Sequence, residues 1–175
     1  QNTDLVLNMY KPKSFLVEHQ KQFLNSNFDL KETAIKYWGD KQSPLLHKQM
    51  IFAIYSLWYS VLQANLLKET YARANNIKYD YVIRARFDLG VHSPIVVSGY
   101  DPHSIHYYKD KESLNDWFGF GNNANMNIYC STFLYLEREY NQTGLFTSET
   151  ALTNLLKQMN IPTQGHGWHI TLPTY

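Results

Sequence analysis

The chain has 175 residues, of which 44% are hydrophobic and 18% charged, and its formal net charge is +1. This composition excludes a disordered protein, and the length suits one domain spanning residues 1–175. The near-neutral charge argues against a nucleic-acid partner, because such an interface needs clustered Lys and Arg. No apolar run is long enough to span a bilayer, so any association with a membrane would be peripheral.

Cysteine usage and the absence of familiar motifs narrow the chemistry. The single cysteine, Cys130, excludes an internal disulfide framework and a cysteine-based metal cluster, and it favours a reducing, cytoplasmic location. The sequence contains no P-loop, no GxGxxG, no GxSxG and no HExxH. A covalent nucleophile therefore has no support, and Cys130, which lies among apolar residues, is predicted to be buried.

The first clear element in chain order is a long helix. Before it, Leu5 to Met9 is a short apolar run and residues 25–42 are polar, typical of a loop. Ser43-Pro44 is a plausible helix entry, and Asn75-Asn76 a plausible end. From Leu45 to about Ala74 the apolar residues recur at helical spacing: Leu46, Met50, Ala53, Ile54, Leu57, Val61 and Ala64.

A strand is predicted directly after this helix, in the stretch YDYVIRARFDL from Tyr79 to Leu89. Residues two apart share a face of a strand, so Arg84, Arg86 and Asp88 are expected on one side. The opposite side, expected to pack inward, carries Ile83, Ala85 and Phe87. A helix followed at once by an apolar strand indicates an α/β fold.

The rest of the chain continues this alternation. Short strands are predicted at Ile95–Val97 and Ser104–Tyr108, and the aromatic stretch Trp117–Gly121 reads as a strand that ends in a Gly-rich loop. Helices are predicted from Met126 to Tyr140 and from Ser148 to Met159. The C-terminal stretch, residues 161–175, is predicted to be loop and edge strand.

The charges of the central strand need partners. Ligands of open α/β sheets bind beyond the carboxyl ends of the strands, which is where Asp88 lies. Arg84 and Arg86 could hold a diphosphate through forked hydrogen bonds, and Asp88 could ligate Mg²⁺ or Mn²⁺ or bond a ribose hydroxyl. The alternative is an internal ion-pair network, and the strand pattern alone does not separate the two.

Four further residues carry weaker signals. Asp116, beside glycines that allow close approach, could be a general base, although Asn-Asp is also ordinary turn material. Glu149 follows Ser148 at a helix start, where an acidic residue is favoured by the helix dipole without any catalytic role. His166 and His169 lie three apart in a Gly-rich stretch, where one could be a metal ligand or a phosphate contact.

The order of segments resembles a group of nucleotide-sugar glycosyltransferases. It consists of Lys11-Pro12-Lys13, a long helix with Ser56 and Asn65-Leu66, YDYVIRARFDL, NDWFGFGNNANMNIY, and Ser148-Glu149 with Leu152 and Leu155. The group comprises bacterial and large-virus enzymes that build surface polysaccharide, with a GT-A-like α/β fold. Its most specific element here is the strand that ends in R-x-R-x-D.

The resemblance implies a GT-A-like mixed sheet flanked by helices, with specific roles for the strand. Asp88 corresponds to the last acid of the DxD motif that holds a metal–diphosphate in GT-A enzymes. Arg86 stands where the first acid should be, and one carboxylate is a poorer divalent-metal site than two. Mn²⁺ or Mg²⁺ is the implied cofactor, with Asp88 and His166 as candidate ligands, but the arginines could supply some of the positive charge instead.

The resemblance also implies a reaction. A sugar would pass from a nucleotide-sugar to a hydroxyl of a glycan or lipid-linked acceptor, at the cytoplasmic face of a membrane in the lipid-linked case. Asp116 or Glu149 would deprotonate that hydroxyl, and Trp117 and Asn115 would contact the acceptor. Such enzymes usually open with a strand and a Gly- or Arg-containing loop that bind the base, and nothing before Leu5 fits this pattern.

That departure keeps two other functions open. Either the piece lacks the opening strand unit, or the chain is a remnant that does not bind donor normally. The alternatives are therefore a non-catalytic transferase-like or carbohydrate-binding domain, and a different phosphate-handling α/β enzyme such as a nucleotidyltransferase.

Overall fold

The computed structural model describes residues 12–13, 44–110, 113–143 and 147–172. Four helices and six strands occur within these ranges. The helices are α1 (Pro44–Ala74), α2 (Asn123–Cys130), α3 (Leu136–Thr143) and α4 (Ser148–Gln158). The strands are β1 (Val82–Ala85), β2 (Gly90–Val91), β3 (Ile105–Asp110), β4 (Ser113–Gly121), β5 (Thr163–His166) and β6 (Ile170–Thr171).

Helix α1 confirms the predicted long helix, and asparagine ends it as expected. Asn76 adopts a positive φ of 52°, the left-handed conformation that closes a helix. The amide of Ile77 then donates to the carbonyl of Ala72 at 2.9 Å, which satisfies a carbonyl that the helix leaves free. This cap sends the chain from α1 directly into β1.

The main sheet has the strand order β1-β4-β3-β5. The first two neighbouring pairs, β1–β4 and β4–β3, are antiparallel, whereas β3 and β5 are parallel. Strands β2 and β6 form a separate antiparallel pair. The chain is thus a mixed α/β structure whose sheet contains parallel and antiparallel strands and is flanked by helices, and β1 lies at one edge of that sheet.

Each face of the sheet has its own core. On the helical face, Trp58 of α1 and Tyr129 of α2 are fully buried, with their rings edge to face at 5.7 Å. They pack with Ile105 and Leu114 of the sheet and with Leu152 of α4. On the other face, a second cluster is formed by Phe118, Phe120 and Ile170, with Tyr100 and Trp168 against it.

Two features of the predicted central strand are wrong. Strand β1 spans only four residues, because the chain turns after it and the amide of Leu89 donates back to the carbonyl of Arg86. The apolar residues of the stretch also do not pack inward: Ile83 is 52% exposed and Phe87 is 88% exposed. Side chains still alternate between the two faces of β1 as predicted. At this edge of the sheet, however, the face covered by the helices is the one that carries Arg84.

Other predicted elements differ in detail. The Ile95–Val97 stretch forms no strand, and residues Val97–Gly99 form a 3-10 helix instead. Alternation persists there, since Ile95 and Val97 pack on the Phe118–Phe120 cluster while Val96 is exposed. The predicted helix over residues 126–140 is broken into α2, a 3-10 segment and α3.

Strands β3 and β4 and helix α4 confirm the predicted elements, and β5 and β6 confirm strand structure in the C-terminal stretch. The predictions on residues 5–9, 25–43 and 173–175 lie outside the described residues. Among the helices that the structure describes, none combines the length and the apolar character that crossing a bilayer requires.

Candidate functional site

A cleft of about 880 Å³ separates helix α1 from strand β1. We call it the arginine cleft. One wall is the whole of β1 with the turn that follows it, so Arg84, Arg86 and Asp88 all line it. The other wall is one side of α1, which contributes Ala53, Ser56, Leu57, Ser60, Val61, Ala64, Asn65 and Lys68. Ligand pockets are typically of this size and are mostly apolar with a few polar groups.

Arg86 and Asp88 bind each other. The Nε and Nη2 atoms of Arg86 donate to the two carboxylate oxygens of Asp88, at 2.9 and 2.7 Å. This forked pairing is the strong geometry for an arginine and a carboxylate. Hydrogen bonding from Arg86 lowers the pKa of Asp88. The ion-pair alternative from the strand pattern is therefore realised for these two residues.

Arg84 is in a different situation. It lies on the helical face of β1, opposite Gly119 in register, and its Nη1 atom is buried without a hydrogen-bond partner among the described residues. Its charge acts on Tyr129, whose pKa is raised chiefly by burial and lowered in part by Arg84. A buried donor that lacks a partner is costly. Arg84 is therefore a guanidinium with an unused donor on the wall of the cleft.

The opposite wall holds an unused acceptor. Asn65 of α1 is only 9% exposed, and its Oδ1 atom has no hydrogen-bond partner within the described part of the chain. Asn65 was not predicted as a site residue. The available signal was its place in the helix, next to Ala64 and four residues after Val61, where the apolar stripe of α1 continues.

One turn further along α1, the polar groups are fully used. The Nζ atom of Lys68 donates to Asn123 at 2.5 Å and to Asn127 at 2.8 Å, and lies 3.0 Å from Glu69. Both asparagine amides in turn donate to Glu69, at 3.0 and 3.1 Å. These bonds, with Lys68 first, lower the pKa of Glu69 to about 2. We call these four residues the lysine network; it fastens α1 to α2.

Asp116 lies deeper than the cleft wall. Strand β4 contains an irregularity, since the one residue of β3 between Tyr107 and Lys109 faces the four residues of β4 between Leu114 and Gly119. Asp116 falls in this bulge, is 6% exposed, and accepts a hydrogen bond of 2.5 Å from the hydroxyl of Ser148. Asp116, the candidate general base, is thus a buried carboxylate and not a turn residue, and it lies at the first turn of α4, where the helix dipole favours negative charge.

The neighbours of Asp116 complete this second group. Asn115 is buried, and its Oδ1 atom accepts from the backbone amide of Trp117 at 2.7 Å. The half-buried Trp117 stacks on Tyr108 with ring centroids 6.0 Å apart. Glu149 is half-buried in the first turn of α4, one residue after the Ser148 that binds Asp116.

The structure brings most of the predicted site residues together. The amide of Arg86 donates to the carbonyl of Trp117 at 3.1 Å, which joins the end of β1 to the bulge of β4. Residues 84–88, 115–117 and 149 therefore belong to one contiguous region. Only the first of these groups lines the arginine cleft.

His166 is elsewhere. It lies on β5, at the sheet edge opposite β1, which is about 14 Å away at three strand spacings. Nε2 of His106 donates to the carbonyl of Asp101 at 2.7 Å. In neutral His106 the other ring nitrogen, Nδ1, is then an acceptor, and it accepts from Nε2 of His166 at 3.0 Å. Burial lowers the pKa of His166, and so does repulsion from His106 whenever His106 is protonated. His169 contacts His92, with ring centroids 4.5 Å apart.

The residues at Asp88 do not fit a divalent cation. Both of its carboxylate oxygens accept from Arg86, and Mg²⁺ or Mn²⁺ would have to compete with that guanidinium beside a second one on Arg84. His166 is too far away to complete the ligand set. Within residues 44–110, 113–143 and 147–172, no three His, Cys, Asp or Glu residues are grouped as metal ligands.

Comparisons with known proteins yield no match: no family model, no curated protein and no solved structure is similar to the chain.

Proposed function

We propose that the arginine cleft binds the diphosphate of a nucleotide-sugar, and that the chain is a glycosyltransferase domain. The observation that carries this proposal is the buried Nη1 atom of Arg84, a cationic donor on the wall of a ligand-sized cleft with no hydrogen-bond partner in the described part of the chain. Phosphate oxygens are the natural acceptors for a guanidinium donor. The resemblance of the R-x-R-x-D strand to nucleotide-sugar glycosyltransferases supports the diphosphate as the specific ligand.

Arg86 has a conditional role in this proposal. Asp88 holds its guanidinium through Nε and Nη2, so a diphosphate reaches those two donors only by displacing or sharing that carboxylate. Asp88 positions Arg86 at the end of β1. A carboxylate has about four lone-pair positions, so Asp88 keeps acceptor capacity for a hydroxyl of the ribose or the donor sugar. We derive no step through a metal ion, because the groups around Asp88 do not fit one.

The transfer itself breaks one bond and forms another. The acceptor hydroxyl oxygen attacks the anomeric carbon, the bond from that carbon to the diphosphate oxygen breaks, and the hydroxyl proton passes to a carboxylate. The nucleoside diphosphate leaves with the bond electrons, and the arginines stabilise its charge. Asp116 and Glu149 are the two carboxylates of the region that can take the proton, with Trp117 and Asn115 beside them for the acceptor.

The experiment is a thermal-shift screen of nucleotide-sugars and nucleoside diphosphates, with and without Mn²⁺, followed by donor hydrolysis assays. We expect stabilisation by at least one nucleoside diphosphate that Arg84→Met abolishes. Among the carboxylates, Asp116→Asn or Glu149→Gln should lower turnover without weakening donor binding, which identifies the base. If no nucleotide or nucleotide-sugar stabilises the protein, the transferase proposal is wrong.

A non-catalytic, carbohydrate-binding role is the second candidate, and one observation favours it. Neither Asp116 nor Glu149 lines the cleft, and Asp116 is buried against Ser148. Under this second function the nucleoside diphosphate or its sugar binds, Arg84→Met abolishes binding, and no donor is hydrolysed in the presence of any acceptor sugar. Turnover that depends on either carboxylate would exclude it.

A further inference from the structure

The helical wall of the arginine cleft carries a recognition element that the strand pattern did not indicate. Asn65 is nine-tenths buried and lines the cleft, and its amide oxygen is buried with no hydrogen-bond partner among the residues described. Such an acceptor costs free energy in the empty protein, and it is satisfied only by a group that donates. The opposite wall has the reverse deficiency, since the Nη1 donor of Arg84 has no acceptor within the described ranges.

These two unmet groups call for different parts of one ligand. An anionic oxygen satisfies Arg84, but it cannot satisfy Asn65, because a deprotonated phosphate or carboxylate has no proton to donate. The group opposite Asn65 must therefore be neutral and carry a hydroxyl or an N–H. The ligand is accordingly bipartite, with an anion against β1 and a donor-bearing group against α1.

The surroundings of Asn65 narrow the class of that neutral group. On the same wall, Ser56 and Ser60 add hydroxyls, and Ala53, Leu57, Val61 and Ala64 add small or aliphatic side chains. A sugar ring presents the same mixture, with hydroxyls at its rim and C–H groups on its faces. An aromatic base would be better matched by ring side chains, and no aromatic residue of the described part of α1 lines the cleft.

We propose that α1 forms a sugar subsite in which Asn65 accepts a hydrogen bond from a ring hydroxyl of the phosphorylated ligand bound by Arg84. This inference rests on the proposed function and deepens it by naming a second recognition residue. Asn65 thereby selects for a hydroxylated ligand over a bare phosphate. Lys68 also lines the cleft, but we do not include it in the sugar subsite because its ammonium group is already bonded to Asn123, Asn127 and Glu69.

The test compares two ligands across three variants by calorimetric titration. The ligands are inorganic pyrophosphate, which has no sugar, and a nucleoside-diphosphate hexose. The variants are Asn65→Leu, Arg84→Met, and Gln63→Leu as a matched control on the same helix, since Gln63 does not line the cleft. We expect Asn65→Leu to weaken the hexose ligand about tenfold and to leave pyrophosphate unchanged, since one hydrogen bond is lost. Arg84→Met should weaken both ligands, and Gln63→Leu neither.

Three results would overturn the inference in distinguishable ways. If Arg84→Met weakens pyrophosphate but Asn65→Leu leaves the hexose ligand unchanged, the sugar subsite is wrong and the proposed function stands. If Asn65→Leu weakens both ligands equally, Asn65 supports the shape of the cleft only. If neither ligand binds the unaltered protein, the proposed function and the subsite both fail.

A ligand-free measurement keeps the subsite testable where Asn65→Leu affects binding through folding. An acceptor kept for a ligand is a burden in the empty protein, so Asn65→Leu should leave the urea midpoint unchanged or raise it. A clear fall in that midpoint, absent in Gln63→Leu, would show that the amide serves the packing of α1, and the inference would be overturned.

Discussion

Two polar groups on helix α1, a single turn apart, have opposite surroundings. Lys68 belongs to the lysine network, in which each charge and each amide is matched by a partner on α1 or α2. Asn65 faces the arginine cleft, in which its own oxygen and the Nη1 atom of Arg84 have no partner among the described residues. Both regions are polar and partly buried. Polarity in a partly buried place therefore does not by itself indicate a binding site; the proposed site rests on a donor and an acceptor without described partners on the two walls of one cleft.

The largest expected effect is the loss of ligand affinity when Arg84 is replaced. Arg84→Met keeps the aliphatic stem and removes the unpaired charge, so we expect affinity for a nucleoside diphosphate to fall about 10- to 100-fold, the loss of one or two charge-assisted hydrogen bonds. Stability should not fall, because no described residue is left without a hydrogen-bond partner. Isothermal titration and urea unfolding measure the two effects. A loss of stability with unchanged affinity would place Arg84 in the core and remove it from the site.

The opposite result is expected for the lysine network. Lys68→Met leaves Glu69, Asn123 and Asn127 without their shared donor, so the free energy of unfolding should fall by about 2 kcal/mol. Affinity for pyrophosphate should change little, since Lys68 has no free donor. Lys78→Met, at an exposed lysine beyond the helix, is the control and should stay within about 0.5 kcal/mol. Equal losses in both variants would contradict a structural role specific to the network.

Asp88 gives a prediction about sign. Asp88→Asn releases Arg86 from its fork, so affinity for pyrophosphate measured in the presence of EDTA should rise about 3- to 10-fold. If Asp88 instead held a metal–diphosphate, Asp88→Asn would lower the affinity measured in the presence of Mn²⁺. Asp80→Asn removes an exposed charge near the same strand and controls for the general change in potential. A fall in affinity in Asp88→Asn but not in Asp80→Asn would contradict our conclusion that Asp88 does not bind a metal ion.

The smallest expected effect concerns pH and belongs to the lysine network. The pKa of Glu69 is about 2 in the folded chain, against 4.5 as the reference value. As pH falls below 4.5 the unfolded state binds the proton first, so the contribution of Glu69 is complete above pH 4.5 and is lost towards pH 2. When the pH is lowered through this range, the free energy of unfolding should fall by about 1 kcal/mol less in Glu69→Gln than in the unaltered protein. This figure is discounted because the Glu69 carboxylate is partly exposed to solvent.

The measurement for Glu69 is urea unfolding at pH 5.5 and at pH 3.5, and Asp80→Asn again provides the exposed control. The same acid sensitivity in Glu69→Gln and in the unaltered protein would show that Lys68 and the two asparagines do not favour the carboxylate as the geometry indicates.

The helices were largely predictable from the sequence, whereas the orientation of the central strand was not. The apolar spacing of α1 and its asparagine cap are local signals, and both were confirmed. The direction of Ile83 and Phe87 depends on which face of β1 the helices cover, and that depends on contacts distant in sequence. The Ile95–Val97 stretch has strand residues, but in the structure it pairs with no strand and forms part of a 3-10 turn.

For the site, the sequence identified the charges and left open whether they pair with each other or with a ligand. The alternation of residues placed Arg84, Arg86 and Asp88 together, which the cleft lining agrees with. It did not indicate that Asp88 occupies Arg86, because a turn after Ala85 folds the carboxylate back. Asn65 was not predicted as a site residue, because a single polar residue in the apolar stripe of a helix can be assigned to a cleft only when the strand opposite it is known.

The most direct test of the central claim is a crystal structure of the protein with a nucleoside-diphosphate sugar bound. We expect a phosphate oxygen within hydrogen-bond distance of Nη1 of Arg84 and a sugar hydroxyl that donates to Oδ1 of Asn65. A ligand bound outside the arginine cleft, with Nη1 of Arg84 bonded to a carboxylate of the protein itself, would contradict it.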